Sequence, residues 1–353
     1  MERFIILLSI LILFQSCSPT GQEIEPVRTD LEFRAADISF LPEIRKSGAV
    51  TYNSEGKPQD MLTILKNEGL NVARLRIWNE PTGVHSTLKE VSDLAVEMRV
   101  KGIKVWITLH YSDWWADPGK QNKPAAWQNL KFDELKERVF QFTRQVMLEV
   151  QPDYIQIGNE INNGFIWPDG HINNPDKMKA LLHEGIRAVR ETNENTKVML
   201  HYAGHHGAKT FFETCKEMDF DLIGVSYYPF WHGTSLDSLK NNLNLLYETF
   251  NKDIVIAETA YPFTLQWNDQ TNNVIGEKWQ IHPDYPATPK GQYDFLLKIK
   301  EMILECPGGA GFSYWAPEWI AAYGSEAKNG SSWENQALWG FDNKALPAMK
   351  IFN

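Results

Sequence analysis

Tyr154-Ile-Gln-Ile-Gly-Asn-Glu160 is a short apolar run that ends in a glutamate, and Ile254-Val-Ile-Ala-Glu258 repeats the pattern later in the chain. A carboxylate is an unusual residue at the end of a buried strand. In a barrel of parallel strands, the residues just past the strand ends share one face. The two runs therefore predict a paired-carboxylate site, provided that a barrel brings the strand ends together.

Eight β-like runs alternate with amphipathic helical segments. The predicted strands are Phe33–Ile38, Val72–Trp78, Lys104–His110, Tyr154–Ile157, Val198–His201, Leu222–Tyr227, Ile254–Ala257 and Gly311–Trp315. The predicted helical segments include Pro58–Glu68, Leu88–Lys101, Phe132–Glu149, Asp176–Thr192, Ser235–Phe250 and Gln292–Cys306. This alternation predicts an α/β fold, a (β/α)₈ TIM barrel that forms a single domain.

The N-terminus is typical of an export signal, because Arg3 precedes an apolar run from Phe4 to Phe14 that is too short to span a bilayer. Cys17 follows this run and resembles the acylated cysteine of a bacterial lipobox. We expect a lipoprotein signal at 1–16, a flexible tether at 17–30 and the barrel at 31–353. The expected location is the bacterial cell envelope, with the membrane contacted through the lipid anchor alone. An ordinary cleaved signal, which would leave the protein periplasmic or secreted, is the alternative.

Composition narrows the range of partners. The net charge of −10 at pH 7 and the lack of a basic stripe argue against nucleic acid. Many of the 13 tryptophans lie in polar loops, among them Trp114 and Trp231. Exposed aromatic rings suit the C–H faces of sugars, although each ring could equally fill a loop or the core. Cys215 and Cys306 show no metal-type spacing and favour buried thiols, while export leaves a disulfide between them open.

Two carboxyls on one barrel face can cleave a glycosidic bond if one is protonated and the other ionised. We assign Glu258 as the nucleophile and Glu160 as the acid/base. At the separation of roughly 5 Å found in retaining enzymes, the charge of the nucleophile would raise the pKa of its partner. Either glutamate alone could be a solvated charge or a salt-bridge partner; the pair makes the catalytic interpretation stronger.

Other polar and aromatic residues at the strand ends are candidate substrate-binding groups. Arg76 would carry an unpaired charge on its strand, so we expect it to pair with Glu258; the alternative is that Arg74 or Arg76 pairs with a structural acid. The set comprises Asp37, Arg76, Trp78, His110, Trp114, Asn159, His201, Tyr227, Trp231 and Trp315.

Specific roles follow for four members of that set. Asn159 can donate to a sugar 2-hydroxyl, His110 and Tyr227 can hold the nucleophile by hydrogen bonds, and Trp315 can form the floor under the reacting sugar.

A metal hydrolase is the competing class of enzyme, because His201 lies near His205 and His206 in the sequence. The spacing of these histidines matches no zinc motif, so we expect no cofactor for catalysis.

From about Phe33 onward, the chain resembles glycoside hydrolase family 53, the endo-β-1,4-galactanases of clan A. The motifs that carry the resemblance are Arg74-Leu-Arg-Ile-Trp78, His110-Tyr-Ser-Asp-Trp-Trp-Ala-Asp-Pro-Gly-Lys-Gln121, Lys123-Pro-Ala-Ala-Trp127, Gln156-Ile-Gly-Asn-Glu160, Ser226-Tyr-Tyr-Pro-Phe-Trp-His-Gly233, Glu258-Thr-Ala-Tyr261 and Asn335-Gln-Ala-Leu338. The resemblance implies retaining hydrolysis of β-1,4-galactan in type I arabinogalactan and pectin, with Glu160 as acid/base and Glu258 as nucleophile. We expect a monomer.

The chain departs from the family pattern at three places. Tyr314-Trp-Ala-Pro317 stands where the family has Tyr-Trp-Glu-Pro, and Glu318 follows one residue later. His201-Tyr-Ala-Gly204 lacks the aspartate that we expect near the end of that strand. Some members bind calcium between the loops after strands seven and eight, but in this chain Trp267 replaces an acidic ligand and Thr271 a histidine. The remaining oxygen ligands leave a structural calcium open, with simple loop hydrogen bonds as the alternative. They are Asp269, Asn273, Ser331 and Glu334.

Two other functions compete with galactan cleavage. One keeps the mechanism but acts on another β-glycan, namely mannan, glucan or xylan. The other is a noncatalytic glycan-binding lipoprotein on an inactive barrel, against which the presence of both glutamates argues.

Overall fold

The computed structural model describes residues 30–353, so the predicted signal segment, Cys17 and the tether as far as residue 29 lie outside the described residues. Eight parallel strands close into a barrel in chain order, with β8 paired to β1. The predicted (β/α)₈ barrel is therefore confirmed. The strands are β1 (Phe33–Asp37), β2 (Val72–Ile77), β3 (Lys104–Leu109), β4 (Tyr154–Ile157), β5 (Lys197–Ala203), β6 (Leu222–Ser226), β7 (Asp253–Thr259) and β8 (Gly309–Trp315).

Helices follow the strands along the chain, and the longer ones cover the outside of the barrel. They are α1 (Leu41–Ser47), α2 (Met61–Asn67), α3 (Leu88–Val100), α4 (Phe132–Val150), α5 (Pro175–Thr192), α6 (Ala208–Cys215), α7 (Pro229–His232), α8 (Leu236–Phe250) and α9 (Pro289–Glu305). Sequence periodicity did not predict α1, α6 and α7, because segments of four to eight residues carry too little of the helical repeat. None of the helices described for residues 30–353 is long and apolar enough to cross a bilayer.

Alternation along the strands separates the barrel interior from its helix-covered exterior. Inward-facing apolar residues, such as Phe33, Val72 and Trp106, fill the N-terminal end of the interior. On β2 the next inward positions are Arg74 and Arg76, both buried. The interior therefore changes from an apolar floor to a charged layer towards the C-terminal ends of the strands, where active sites of this fold lie.

Cys215 and Cys306 are both buried, and no disulfide joins them in the part of the chain that the structure describes. The favoured interpretation of these two residues as buried thiols is confirmed.

Candidate active site

A cleft of about 570 Å³ opens at the C-terminal ends of the strands. Its size is in the range typical of small-molecule and substrate sites. It is lined by Asp37, Arg74, Arg76, His110, Trp115, Ala116, Asp117, Pro118, Asn159, Glu160, Ala203, Tyr228, Trp231, His232, Glu258, Val274, Trp315 and Trp333. Both predicted carboxyls thus reach one cleft.

A sharp turn after β4 brings Glu160 to the cleft. Gly158 has φ +80° and Glu160 has φ +47°. A side chain at Gly158 would lie 2.5 Å from Ile161 Cγ2, so this position requires glycine. Left-handed φ values are uncommon for a residue such as glutamate and persist where the surroundings enforce them, as often happens at functional sites.

Glu258 is held by two donors near the end of β7. Arg74 Nη2 lies 2.8 Å from Glu258 Oε1, and the hydroxyl of Tyr228 donates to Glu258 Oε2 at 3.2 Å. The same arginine binds Asp37 Oδ2 through Nη1 at 2.7 Å and donates to Asn159 Oδ1 at 2.8 Å. A buried carboxylate with a cation and a phenol directed at it is stabilised in its ionised form.

Glu160 faces Glu258 across the cleft and has a different environment. Ser226 Oγ donates to Glu160 Oε1 at 2.5 Å. Each of Glu160, His201 and Glu258 has one potential ligand atom within 4.8 Å of the others, which places the two carboxyls close to the separation of roughly 5 Å that retaining glycosidases use.

The two carboxyls differ in their affinity for a proton. Burial and the charge of Glu258 raise the pKa of Glu160 to about 8, an effect that Ser226 and Arg74 only partly oppose. Burial also raises the pKa of Glu258, but Arg74 and Tyr228 oppose this directly. One proton shared by the pair therefore resides on Glu160, and Glu258 is the ionised member at neutral pH.

Arg74, and not Arg76, is the partner of Glu258, so the predicted pairing of Arg76 with Glu258 is wrong. The register of the barrel places Arg74 beside Asp37 on β1, and its long side chain extends from there to Glu258. Arg76 is 2 % exposed and stacks on Phe40 and Trp115, with its Cζ 4.2 and 4.3 Å from the ring centroids. It still lines the cleft as expected of a substrate-binding candidate.

The backbone N–H of Tyr227 donates to Glu258 O at 2.8 Å, but its hydroxyl makes no hydrogen bond to the Glu258 carboxylate, so the prediction that the Tyr227 side chain tunes the nucleophile is wrong. Its hydroxyl donates to Gly233 O at 2.9 Å, away from the cleft. The neighbouring Tyr228 donates to Glu258 instead. The β6–β7 register shifts between Val225 and Ser226, where Ala257 is an extra residue on β7. Tyr228 lies two positions after Ser226, so the alternation along β6 directs its side chain to the interior.

The remaining substrate-binding candidates divide into two groups. Asp37, His110, Asn159, Trp231 and Trp315 line the cleft. Trp78, Trp114 and His201 do not belong to the cleft lining. Trp114 is 50 % exposed and lies 4.6 Å, between ring centroids, from the buried Trp78. His201 is fully buried and hydrogen-bonds Ser226 Oγ at 2.9 Å; the expectation that it binds substrate directly is therefore wrong.

The imidazole of His110 is uncharged at neutral pH. Its Nδ1 accepts a hydrogen bond from the backbone N–H of Ala116 at 3.1 Å. Burial, together with Arg74 and Arg76, lowers the pKa of His110 well below its usual value. His110 therefore supports the Ala116 loop as a neutral ring and does not pair with Glu258.

The loops after β7 and β8 bring the calcium-site candidates together. Asn268 N donates to Glu334 Oε1 at 2.6 Å and ties the two loops to each other. Within the described part of the chain, Asp269 Oδ2, Asn273 Oδ1 and Glu334 Oε2 are buried without a hydrogen-bond partner. The hydroxyl of Ser331 donates to Trp319 O. Three unsatisfied buried oxygens are costly unless a cation binds them, so the donor set fits a hard cation such as Ca²⁺.

Glu318 does not replace the glutamate that the family has two positions earlier. It is fully buried, and its Oε1 accepts from the backbone N–H of Phe40 at 2.8 Å. Burial raises its pKa to about 8. It supports the loops after β1 and β8 and is not part of the cleft lining.

The predicted site residues did not include Tyr228, Ser226, Trp115 and Trp333, which lie in or behind the cleft. Alternate residues of β6 face the interior, and Ser226 and Tyr228 are two positions apart. The alternation along this strand could therefore have identified both of them. Trp115 follows Trp114 in the same loop, and the two were not distinguishable by composition. Trp333 comes from a loop without any strand-end signal.

Residues 33–352 match the model of the glycosyl hydrolase family 53. The chain belongs to this family. It is 35 % identical over 340 residues to the arabinogalactan endo-β-1,4-galactanase of Cellvibrio japonicus, covering 90 % of this chain and 89 % of that protein. It is 32 % identical over 381 residues to the endo-β-1,4-galactanase of Bacillus subtilis, covering 94 % of this chain and 87 % of that one.

A solved structure of a family 53 member shows the same architecture. The catalytic domain from Ignisphaera aggregans superposes with a TM-score of 0.87 at 37 % identity, covering 93 % of this chain and 98 % of that chain. The family assignment drawn from the sequence motifs is confirmed, and with it the class of glycosidase.

Proposed function

We propose that this protein is an endo-acting retaining glycoside hydrolase that cleaves β-1,4-galactosidic linkages in type I arabinogalactan and pectic galactan. Membership of family 53 and two galactanases at 32–35 % identity support the substrate class. The observation that carries the mechanism is the pair of carboxyls, with a potential ligand atom of each within 4.8 Å of the other, of which Arg74 and Tyr228 hold one in its ionised form.

In the first step, an oxygen of Glu258 attacks the anomeric carbon and forms a glycosyl ester, while the bond to the glycosidic oxygen breaks. Glu160 gives its proton to the departing oxygen. In the second step, water attacks the anomeric carbon and gives one proton to Glu160, and the ester bond to Glu258 breaks. Two inversions leave the anomeric configuration unchanged.

Residues around the pair have separate roles in this proposal. Arg74 and Tyr228 keep Glu258 ionised and oriented for attack. One hydrogen of Asn159 Nδ2 donates to Ala116 O, and the other is available for the sugar 2-hydroxyl. Trp315, Trp231 and Trp333 line the cleft and offer aromatic surfaces to sugar rings.

A panel of galactan, mannan, glucan and xylan tests the substrate class by the release of reducing sugar. Activity on galactan with long early products supports endo cleavage, and monomer alone would indicate exo action. Activity on another glycan with none on galactan would refute the substrate proposal.

Two variants test the roles of the carboxyls. Glu258→Ala should abolish turnover, and Glu160→Gln should slow it severely while galactan binding is retained. Full turnover in Glu258→Ala would refute the nucleophile assignment and favour another site. Loss of binding in Glu160→Gln together with turnover would indicate damaged folding.

We propose, further, that Asp269, Asn273 and Glu334 hold a structural Ca²⁺ between the loops after β7 and β8, with Ser331 nearby. The three buried oxygens without partners support this assignment. A cation there supplies no step of the reaction; it would fix the two loops that contribute Val274 and Trp333 to the cleft.

For localisation, we propose a monomer that is exported and anchored to the bacterial envelope through an acylated Cys17. The apolar run before Cys17 supports this proposal. Labelling with a radioactive fatty acid tests the anchor: Cys17→Ser should lose the label and leave the membrane fraction, whereas unchanged membrane association would refute it.

A further inference from the structure

A chain of hydrogen bonds runs behind Glu160, on the side away from the cleft. It begins at Arg74 Nη2, which lies 3.4 Å from Gln156 Oε1, and continues from Gln156 Nε2 to His201 Nδ1 at 3.0 Å. His201 Nε2 lies 2.9 Å from Ser226 Oγ, and Ser226 Oγ lies 2.5 Å from Glu160 Oε1. The arginine that binds Glu258 is thus connected to the opposite carboxyl through three intervening side chains.

The direction of the chain is fixed at Gln156 by two partners that each have one hydrogen-bonding role. A guanidinium can only donate, so Arg74 faces the amide oxygen of Gln156. A backbone carbonyl can only accept, and Gly158 O lies 2.9 Å from Gln156 Nε2. Both contacts require the same orientation of the amide, with its N–H groups towards His201.

His201 accepts one hydrogen bond and donates another. Gln156 Nε2 has two hydrogens: one is donated to Gly158 O, and the other lies between His201 Nδ1 and Asn159 Oδ1, each 3.0 Å from the nitrogen. Asn159 Oδ1 already accepts from Arg74 at 2.8 Å, and it lies farther from His201 Nδ1, at 3.3 Å. His201 Nδ1 therefore accepts from Gln156, and the ring proton lies on Nε2. Burial and the positive charge of Arg74, with smaller contributions from His110 and His232, lower the pKa of His201 and keep it neutral.

We propose that Gln156, His201 and Ser226 form a directional relay that keeps the Ser226 hydroxyl donating to Glu160 Oε1, so that the proton used in catalysis resides on Oε2. The proposal deepens the proposed retaining mechanism and rests on it. His201 and Ser226 are positioning residues in this scheme, because they act on the substrate only through Glu160.

The relay matters because Glu160 must act twice with the same oxygen. A proton on Oε1 would point at Ser226 and would not reach the departing glycosidic oxygen. With Oε1 occupied by a donor, the proton remains on Oε2 in the acid form, and the same oxygen accepts the proton from water in the base form. Ser226 also lowers the pKa of Glu160, opposing burial and the charges of Glu258 and Asp117, and Arg74 acts in the same sense as Ser226.

Replacing Ser226 with alanine tests the proposal. Ser226→Ala removes the donor, so the pKa of Glu160 rises and the basic limb of kcat/KM moves upward by about one pH unit. The value of kcat on galactan falls about tenfold. An aryl β-galactobioside with a dinitrophenyl leaving group needs no proton from Glu160, so its glycosylation rate should change by less than about threefold.

Ser313→Ala is the matched control. Ser313 is a fully buried serine on β8 whose hydroxyl has no hydrogen-bond partner within residues 30–353. Its replacement should leave both the pH profile and the ratio between the two substrates unchanged. Equal losses on both substrates in Ser226→Ala, or a basic limb that stays in place, would overturn the relay and leave Ser226 as a packing residue.

A second measurement uses the wild-type protein, so its outcome does not depend on the folding of a variant. Nitrogen NMR of the protein labelled at histidine should show His201 as a neutral ring with its proton on Nε2 at pH 7. A proton on Nδ1 would overturn the proposed direction. Wild-type hydrolysis of galactan tests the proposed function separately. Cleavage of the aryl substrate alone would refute the proposal that galactan is the natural substrate, while the NMR result would still decide whether the relay exists.

Discussion

Arg74 Nη2 lies 2.8 Å from Glu258 Oε1, although the two residues stand on β2 and β7, far apart in the closed barrel. The arginine crosses the interior because Asp37 and Asn159 hold the rest of its guanidinium. A buried cation with two carboxylates is stable only as a complete set, since each unpaired charge would be costly. The position and charge of Glu258 therefore depend on Arg74, a side chain from β2.

Replacing Arg74 with lysine should damage catalysis more than folding. A single ammonium cannot match the planar fork that binds Asp37, Asn159 and Glu258 together. The pKa of Glu258 should then rise, the acidic limb of kcat/KM should move to higher pH, and kcat/KM should fall about 100-fold. Steady-state kinetics across pH measure both effects.

Arg45→Lys is the control for that variant. Arg45 forms a comparable pair of contacts with Asp60 and Glu97 on the surface, away from the cleft. It should leave kcat/KM and both limbs of the profile unchanged. If Arg74→Lys also kept its acidic limb, Arg74 would not set the protonation of Glu258.

Tyr228 and Tyr227 provide a matched pair of hydroxyl deletions. Tyr228→Phe removes the hydrogen bond to Glu258 Oε2 and should lower kcat/KM by roughly 10- to 100-fold. Tyr227→Phe removes only the hydrogen bond to Gly233 O, so it should lower the free energy of unfolding by about 1 kcal/mol and leave activity nearly unchanged. Kinetics and denaturant unfolding of both variants check this, and the reverse ranking of activities would contradict the assignment.

The wrong pairing of Arg76 with Glu258 has a physical cause in the stagger of the barrel strands. Periodicity predicted every strand of the barrel and placed both glutamates on one face, because the two-residue repeat and the strand ends are local properties. The partner of each residue depends on the stagger between strands, which no local pattern encodes. The stagger puts Asp37 beside Arg74. Tyr228, by contrast, lies two positions after the inward-facing Ser226, so its orientation follows the local repeat of β6 and was available from the sequence.

His201 shows a second limit of sequence reasoning. A histidine near the end of a strand predicted a residue in the cleft, but the side chain lies beneath it, fully buried. Depth within the barrel depends on the layer that each inward residue occupies, and β5 continues two residues beyond its predicted end, to Ala203. The residue type was informative, whereas its layer was visible only in the fold.

Glu160→Gln should stabilise the protein at alkaline pH. The pKa of Glu160 is raised in the folded state from 4.5 to about 8, so the stability linked to its proton is complete below about pH 4.5 and is lost as pH rises through about 8. Glutamine carries no charge and avoids this loss. The Tm difference between variant and wild type should therefore grow between those two pH values and become constant above them, as measured by differential scanning calorimetry.

Glu305→Gln is the matched control for that pH dependence. Its hydrogen bond with Lys240 lowers the pKa of Glu305, so its contribution to stability is present above the ordinary pKa and is lost only in acid. The Tm difference for Glu305→Gln should stay constant from pH 6 to pH 9, an interval chosen to lie above the ordinary glutamate pKa of about 4.3. A constant difference for Glu160→Gln over the same interval would show that the pKa of Glu160 is not raised.

Calcium should stabilise the folded protein through the loops after β7 and β8. Asp269 Oδ2, Asn273 Oδ1 and Glu334 Oε2 are buried without partners within residues 30–353, and a bound cation would satisfy them. A ligand that binds only the folded state raises its stability, so removal by a chelator should lower Tm by about 5 °C, and added Ca²⁺ should restore it. Glu334→Gln removes one charged ligand and should make Tm insensitive to both treatments, whereas Glu277→Gln, an exposed change in the loop after β7, should keep the full response. A wild-type Tm that does not respond to chelator or Ca²⁺ would leave Asp269 and Glu334 as loop hydrogen-bonding groups.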